Sequence, residues 1–146
     1  MVIDRVTTWE YMSEENKVII EQGIRRMFEC DYISAIHILV PRFESCLREF
    51  FDCYGYATTS IKPKTVQHEQ TFNEFLENDF VKINIEDNLY FLIKFVMVDE
   101  IGYNLRNNVA HGLANLANFN KLIALIIIYL YFQITLYGWK TTQEEA

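Results

Sequence analysis

The run Arg106-Asn107-Asn108-Val109-Ala110-His111-Gly112 sets one permanent cation and one titratable imidazole five positions apart. Such a pair suits phosphate chemistry. A guanidinium stays charged at any accessible pH and matches phosphate oxygens with a planar fork of donors, whereas an imidazole takes or gives a proton near neutrality. At 100° per residue, Asn107 and Asn104 fall within about 40° of His111 on a helix, and Asn108 lies about 60° from it, so the four form a polar strip. Arg106 is turned about 140° from His111, toward Leu105, Val109 and the predicted core. It must bend back, be reached across a subunit boundary, or find an acid inside.

A second set lies upstream. His37, Glu44 and Arg48 fall within about 40° on a helix, beside an apolar stripe of Ile33, Ile36, Leu39 or Val40, Phe43, Leu47, Phe50 and Tyr54. Glu44 and Arg48 are four apart and can pair. If the stripe faces Arg106, Glu44 would orient that arginine. Structural roles compete with chemical ones at each position. Arg106 can be a buried ion-pair partner of Glu44, since an unpaired buried cation is costly. His111-Gly112 can simply end a helix, where a cation and a glycine are both favoured, and His37 can be a satisfied structural histidine.

The 106–112 run resembles the signature of the HEPN superfamily, all-helical domains marked by Arg, a polar residue, further residues and His. The fuller Asn104-Leu105-Arg106-Asn107 with His111-Gly112 is more similar to one HEPN-like family of unknown function, typified by Arg-Asn-x-x-x-His-Gly. His37-Ile38-Leu39-Val40-Pro41-Arg42-Phe43-Glu44, continuing to Leu47-Arg48, resembles that family's preceding helix. The resemblance implies an all-α, HEPN-like up-and-down bundle of four main helices plus short ones. It also implies metal-independent RNA cleavage, in which a ribose 2′-hydroxyl attacks the adjacent phosphate and leaves a 2′,3′-cyclic phosphate and a 5′-hydroxyl. His111 would be general base or acid, Arg106 would neutralise charge on the phosphate oxygens, and Asn107 would orient them. Glu44, His37, Arg48, Asn104 and Asn108 would support these three.

In-line transfer needs an acid and a base, and a two-fold homodimer would supply the second histidine. The resemblance further implies a toxin or defence effector with a cognate antitoxin, with RNA rather than DNA as substrate. No cofactor or metal is called for. The same likeness leaves room for a non-catalytic module that dimerises or binds a nucleotide or RNA, within a larger protein.

Composition bounds these readings. A length of 146 residues fits a single domain, with 1–12 and 141–146 expected as peripheral tails. At 51% hydrophobic, with eleven Phe and nine Tyr, the chain has apolar surface enough for a core and for self-association. A net charge of -7 argues against a broad basic surface, so any RNA contact should be local. Cys30, Cys46 and Cys53 show no CxxC spacing and read as reduced, mostly buried thiols of a cytoplasmic protein. They form no local ligand set with His37, His68 and His111. No signal peptide is visible, because Asp4 and Arg5 interrupt any early apolar run. Leu122 to Trp139 is apolar except for Gln133 and Thr135; it suits a central or interface helix, and is of borderline length for a membrane anchor.

Ser13 before Glu14 and Glu15 predicts a helix to about Glu29, and Asp31 caps a second to Tyr54, with a kink expected at Pro41. Gly55 to Thr65 reads as a loop holding Lys62, Pro63 and Lys64, with His68 nearby at the surface, and Thr71 to Glu77 as a short helix. Phe80 to Ile85 alternates as a strand would but has no partner, so it reads as irregular. Asp87 is expected to cap a helix through Phe95 or Val98, Gly102 to Ala110 to form the motif helix ended by Gly112, and Asn115 to Tyr137 to form the last.

Overall fold

Side-chain caps set where the helices begin. Ser13 Oγ accepts from the Asn16 amide (3.2 Å) and opens α2 (Glu14–Phe28); Asp31 accepts from the Ser34 amide (3.1 Å) and opens α3 (Tyr32–Asp52). In the computed structural model, which describes residues 1–56, 59–61 and 67–139, these follow α1 (Val2–Thr7). After them come strands β1 (Thr59–Ile61) and β2 (Gln67–Glu69), then α4 (Phe72–Glu77), α5 (Asp79–Asn84), α6 (Asp87–Met97), α7 (Leu105–Ala110) and α8 (Lys121–Ile134). The fold is all-α, apart from one antiparallel ladder pairing Thr59 with Glu69 and Ile61 with Gln67.

The long helix α3 runs through the middle of the core, burying Ile36, Leu39, Phe43, Leu47, Phe50 and Phe51. It continues through Pro41. Both Pro41 and His37 are exposed, so the carbonyl that loses its donor lies on the water side, which makes the proline tolerable. Helix α2 packs closely on α3: a Cβ at Gly23 would stand 2.7 Å from Leu39 Cδ2. Helix α8 closes the other side, where the fully buried Tyr131 donates to the Leu39 carbonyl at 2.6 Å. Burial pushes its phenol up, well above the ordinary range. Leu122 to Trp139 is therefore a buried-face helix and its C-terminal extension. Among the described residues no helix is long and apolar enough to cross a membrane.

Several expectations change. Residues 1–12 are not a peripheral tail: Val6, Trp9 and Met12 are core, because Trp9 donates to the Tyr137 carbonyl (2.9 Å) and packs on Phe50. The Trp139 amide in turn donates to Tyr11 Oη (2.8 Å), and its indole N–H to the Phe50 carbonyl (2.8 Å), so the two chain ends are laced to α3. Phe80 to Ile85 is helical, not irregular. Asn78 accepts from the Phe80 amide to start α5, Val81 becomes core, and Ile83 is left in water, which is why the sequence mimicked strand alternation.

The expected loop before Thr65 contains β1, and His68 belongs to β2; residues 57–58, 62–66 and 140–146 lie outside the described residues, and so do Lys62, Pro63, Lys64 and the polar tail. Glu86, not Asp87, is the residue before α6. The last helix is split because Asn115 and Asn120 each cap their own segment, a 3-10 turn over Leu116–Asn118 and then α8. Of the cysteines only Cys46 is buried; Cys30 and Cys53 are exposed.

Glu77, at the end of α4, ties three helices by accepting from Lys94 (2.5 Å) on α6 and Lys82 (2.9 Å) on α5. Those bonds, Lys94 first, hold its carboxyl down from an ordinary 4.5 to about 2. A depressed carboxylate contributes stability that is present above its unfolded value and lost as pH falls through its folded one. Denaturant titrations from pH 5 to pH 2 should therefore show a loss that Glu77→Gln makes shallower. Because Glu77 is 43% exposed, the difference should be a few tenths of a kcal/mol per pair.

Candidate functional site

Helix α7 has six residues, too few to be stable alone, so its position comes from what it docks on. Its entry is shaped by two backbone constraints. A Cβ on Gly102 would fall 2.1 Å from the Phe95 carbonyl oxygen, where the end of α6 meets the turn. Asn104 then adopts φ +47°, ψ +39°, a left-handed conformation that asparagine tolerates better than most residues. The helix starts at Leu105, three residues later than expected, and Leu105 is buried beneath it. At the other end Gly112 takes φ +66° and His111 is the last, capping residue, as the Gly112 stop implied.

Arg106 does bend toward an acid. Its Nε donates to Glu44 Oε2 at 2.8 Å, across α3 and α7. The other oxygen, Oε1, accepts from Arg48 Nε (3.1 Å) and Nη2 (2.7 Å). Glu44 thus joins two guanidiniums, and one positive charge is left over. Arg48 is the enclosed partner: its side chain is 10% exposed, its Nη2 also reaches the Gln70 carbonyl (2.5 Å), and its guanidinium lies 5.2 Å from the centre of the Phe75 ring. The buried Nη1 of Arg48 has no acceptor among the described residues, so this cation is committed to structure.

Arg106 is placed differently. Its side chain is 27% exposed, its Nη1 makes a long 3.4 Å contact with Asn107 Oδ1, and its Nη2 has no protein acceptor among the described residues. Asn107 in turn donates to Asn104 Oδ1 at 2.8 Å, so Glu44, Arg106, Asn107 and Asn104 form one continuous polar chain ending at the left-handed turn. Asn108 donates instead to the Tyr103 carbonyl (3.3 Å) and stands apart.

The two histidines are outside this chain. His111 is exposed on the α7 cap and its imidazole makes no contact with Arg106. His37 Nδ1 donates to the carbonyl of Ile33 (2.8 Å), and its ring stacks on Phe119 at 4.9 Å. That is the satisfied structural histidine. Of its stripe-mates, Glu44 reaches the motif helix and Arg48 reaches Glu44, but His37 reaches neither. Gln70, Phe75 and Phe119 were missed in the sequence, because each meets the site only through tertiary packing and none sits at a helical spacing from it. Among the described residues no three His, Cys, Asp or Glu side chains converge as metal ligands.

Comparison with protein-family models, with curated proteins and with solved structures returns no match. The HEPN likeness rests on the two sequence segments alone.

Removing one partner from a buried pair leaves the other charge uncompensated. Glu44→Gln should lower the urea-unfolding free energy by about 3 kcal/mol, and Glu44→Gln with Arg48→Met should recover part of it. In the α7 entry, Gly102→Ala should cost about 2 kcal/mol, read in the same assay, because the obstacle is a backbone oxygen that cannot rotate away.

Proposed function

We propose that the protein is a metal-independent endoribonuclease of HEPN type, working in the cytoplasm as a homodimer, with a toxin or defence role. The observation that carries this reading is the posture of Arg106. Glu44 grips it through Nε, a carboxylate already balanced by Arg48, while its Nη2 edge remains open to solvent. An arginine oriented from behind and free in front is suited to bracing a scissile phosphate. Asn107, bonded on both sides, would keep that edge in place. His111, exposed at the end of the same helix, would take the proton from the 2′-hydroxyl or give one to the leaving 5′-oxygen. It lies outside the polar chain of its own protomer, so the reading requires a second protomer to complete a cleft. RNA contact would be confined to this spot, in keeping with the acidic chain. An antitoxin is the partner a toxin role implies.

A second reading has its own observation. Arg106 paired with Glu44, and His111 in contact with no acid or base, also describe a non-catalytic module that dimerises or binds a nucleotide or RNA. The two readings separate in one assay. Purified protein is incubated with mixed cellular RNA in excess chelator, beside Arg106→Ala, Arg106→Lys and His111→Ala. Nuclease action predicts cyclic-phosphate ends from the parent and a loss of roughly 100-fold or more in each variant. Arg106→Lys fails with the others because a lysine cannot hold Glu44 and a phosphate with separate edges. Intact RNA with a folded dimer would favour the module, and cleavage persisting in all three variants would exclude this site.

A further inference from the structure

Helix α8 has two apolar faces where a surface helix needs one. Ile123, Ile127, Tyr131 and Ile134 face the core. On the far side Leu122, Leu125, Tyr129 and Phe132 step by three, four and three, and Leu136 follows four later, its amide still turned onto the Gln133 carbonyl. At 100° per residue the four on α8 lie within about 80° of arc, the narrow seam of a two-helix contact rather than the broader face of a core helix, and Leu136 continues it in the turn after Thr135. Four of the five are exposed, from 44% at Leu125 to 68% at Leu136, and Phe132 is half-buried. Beside the seam, α6 and α8 bound an open groove of about 320 Å³ lined by Leu92, Phe95, Tyr103, Leu125, Ile126 and Tyr129.

We propose that this seam is covered by the α8 of a second copy of the chain, packed antiparallel about a two-fold axis at Tyr129. Three features choose that occupant. First, the spacing is nearly palindromic about Tyr129, at -7, -4, +3 and +7, so reversing the helix lays Leu122 on Leu136, Leu125 on Phe132 and Tyr129 on itself. A two-fold interface demands such a self-complementary patch. Second, no Asp, Glu, Lys or Arg occurs from Leu122 to Trp139, in a chain of net charge -7. Two like-charged molecules can meet there without opposing carboxylates, and a charged partner finds nothing to pair with. Third, the area suffices. With about 200 Å² per aromatic side chain, the exposed parts of Phe95, Tyr103 and Tyr129 leave on the order of 260 Å². That is about a third of the roughly 800 Å² each partner contributes to a stable interface, before the seam leucines are added.

The pairing does not rest on the nuclease reading, although it provides the dimer which that reading needs. Tyr103 lines the groove and offers its carbonyl to Asn108, so the interface reaches the edge of the motif helix.

Sedimentation velocity of the full chain tests it. The parent should be a dimer at about 10 µM, and Leu125→Glu and Tyr129→Glu should each weaken it by 100-fold or more with the helical circular dichroism unchanged, since both positions are exposed in the protomer. Val18→Glu, exposed on α2, should remain dimeric. In a background with Cys30→Ser and Cys53→Ser, Tyr129→Cys should form an intermolecular disulfide on oxidation, and Leu122→Cys should link to Leu136→Cys but not to itself. A monomeric parent would overturn the proposal and leave the seam to another partner. So would a dimer that survives both glutamate variants, which would point to another face, or self-linked Leu122→Cys, which would mean parallel helices. RNA cleavage is scored separately, so a dimer without cleavage leaves this interface standing.

Discussion

One carboxylate, on a side chain only 14% exposed, holds two guanidiniums of different fate. A charge so nearly withdrawn from water survives only if each oxygen finds a donor, and Glu44 uses both. Everything around the candidate site hangs from that requirement. Through Arg48 it is tied to Gln70 and Phe75, and so to the junction of β2 and α4. Through Arg106 it is tied to α7, a helix too short to place itself. The excess positive charge sits on the more exposed of the two arginines.

The opposite end of α3 is held without charge. Phe50 and Phe51 gather Trp9, Tyr11, Trp139 and Phe80 into a cluster of rings with centroids 4.6 to 6.1 Å apart; the two indole N–H groups donate to backbone carbonyls, and the Tyr11 phenol oxygen accepts from the Trp139 amide. Aromatic rings bury large areas at small entropic cost. Here they close the fold by joining the first dozen residues to the last described ones. The division leaves α3 anchored apolarly at one end and ionically along the flank where chemistry is proposed.

Local rules and long-range packing divide the legible from the illegible. Ser13, Asp31 and Thr71 announced their helices, because a cap is a bond to an amide two or three residues away. Glu44 and Arg48 announced their pairing, because four residues make one helical turn. Phe80 to Ile85 misled, because its alternating pattern fits a strand and the Asn78 cap outweighed it. Residues 1–12 misled as well: nothing within them shows that Tyr137 and Phe50 lie waiting more than thirty residues away.

The amino-acid sequence by itself determined the helical class, the starts of α2, α3 and α4, the apolar run of α8 and the polar residues beside Arg106. These follow from periodicity and from bonds within one turn of the chain. Only the tertiary structure decided which acid Arg106 would meet, that Arg48 would be enclosed while Arg106 kept a free edge, and that His37 would turn to Phe119 rather than to the motif. Those outcomes depend on how α3, α7 and the β2–α4 junction stack. Burial decides the charge pairing there, and burial is a property of the whole packed chain rather than of any segment.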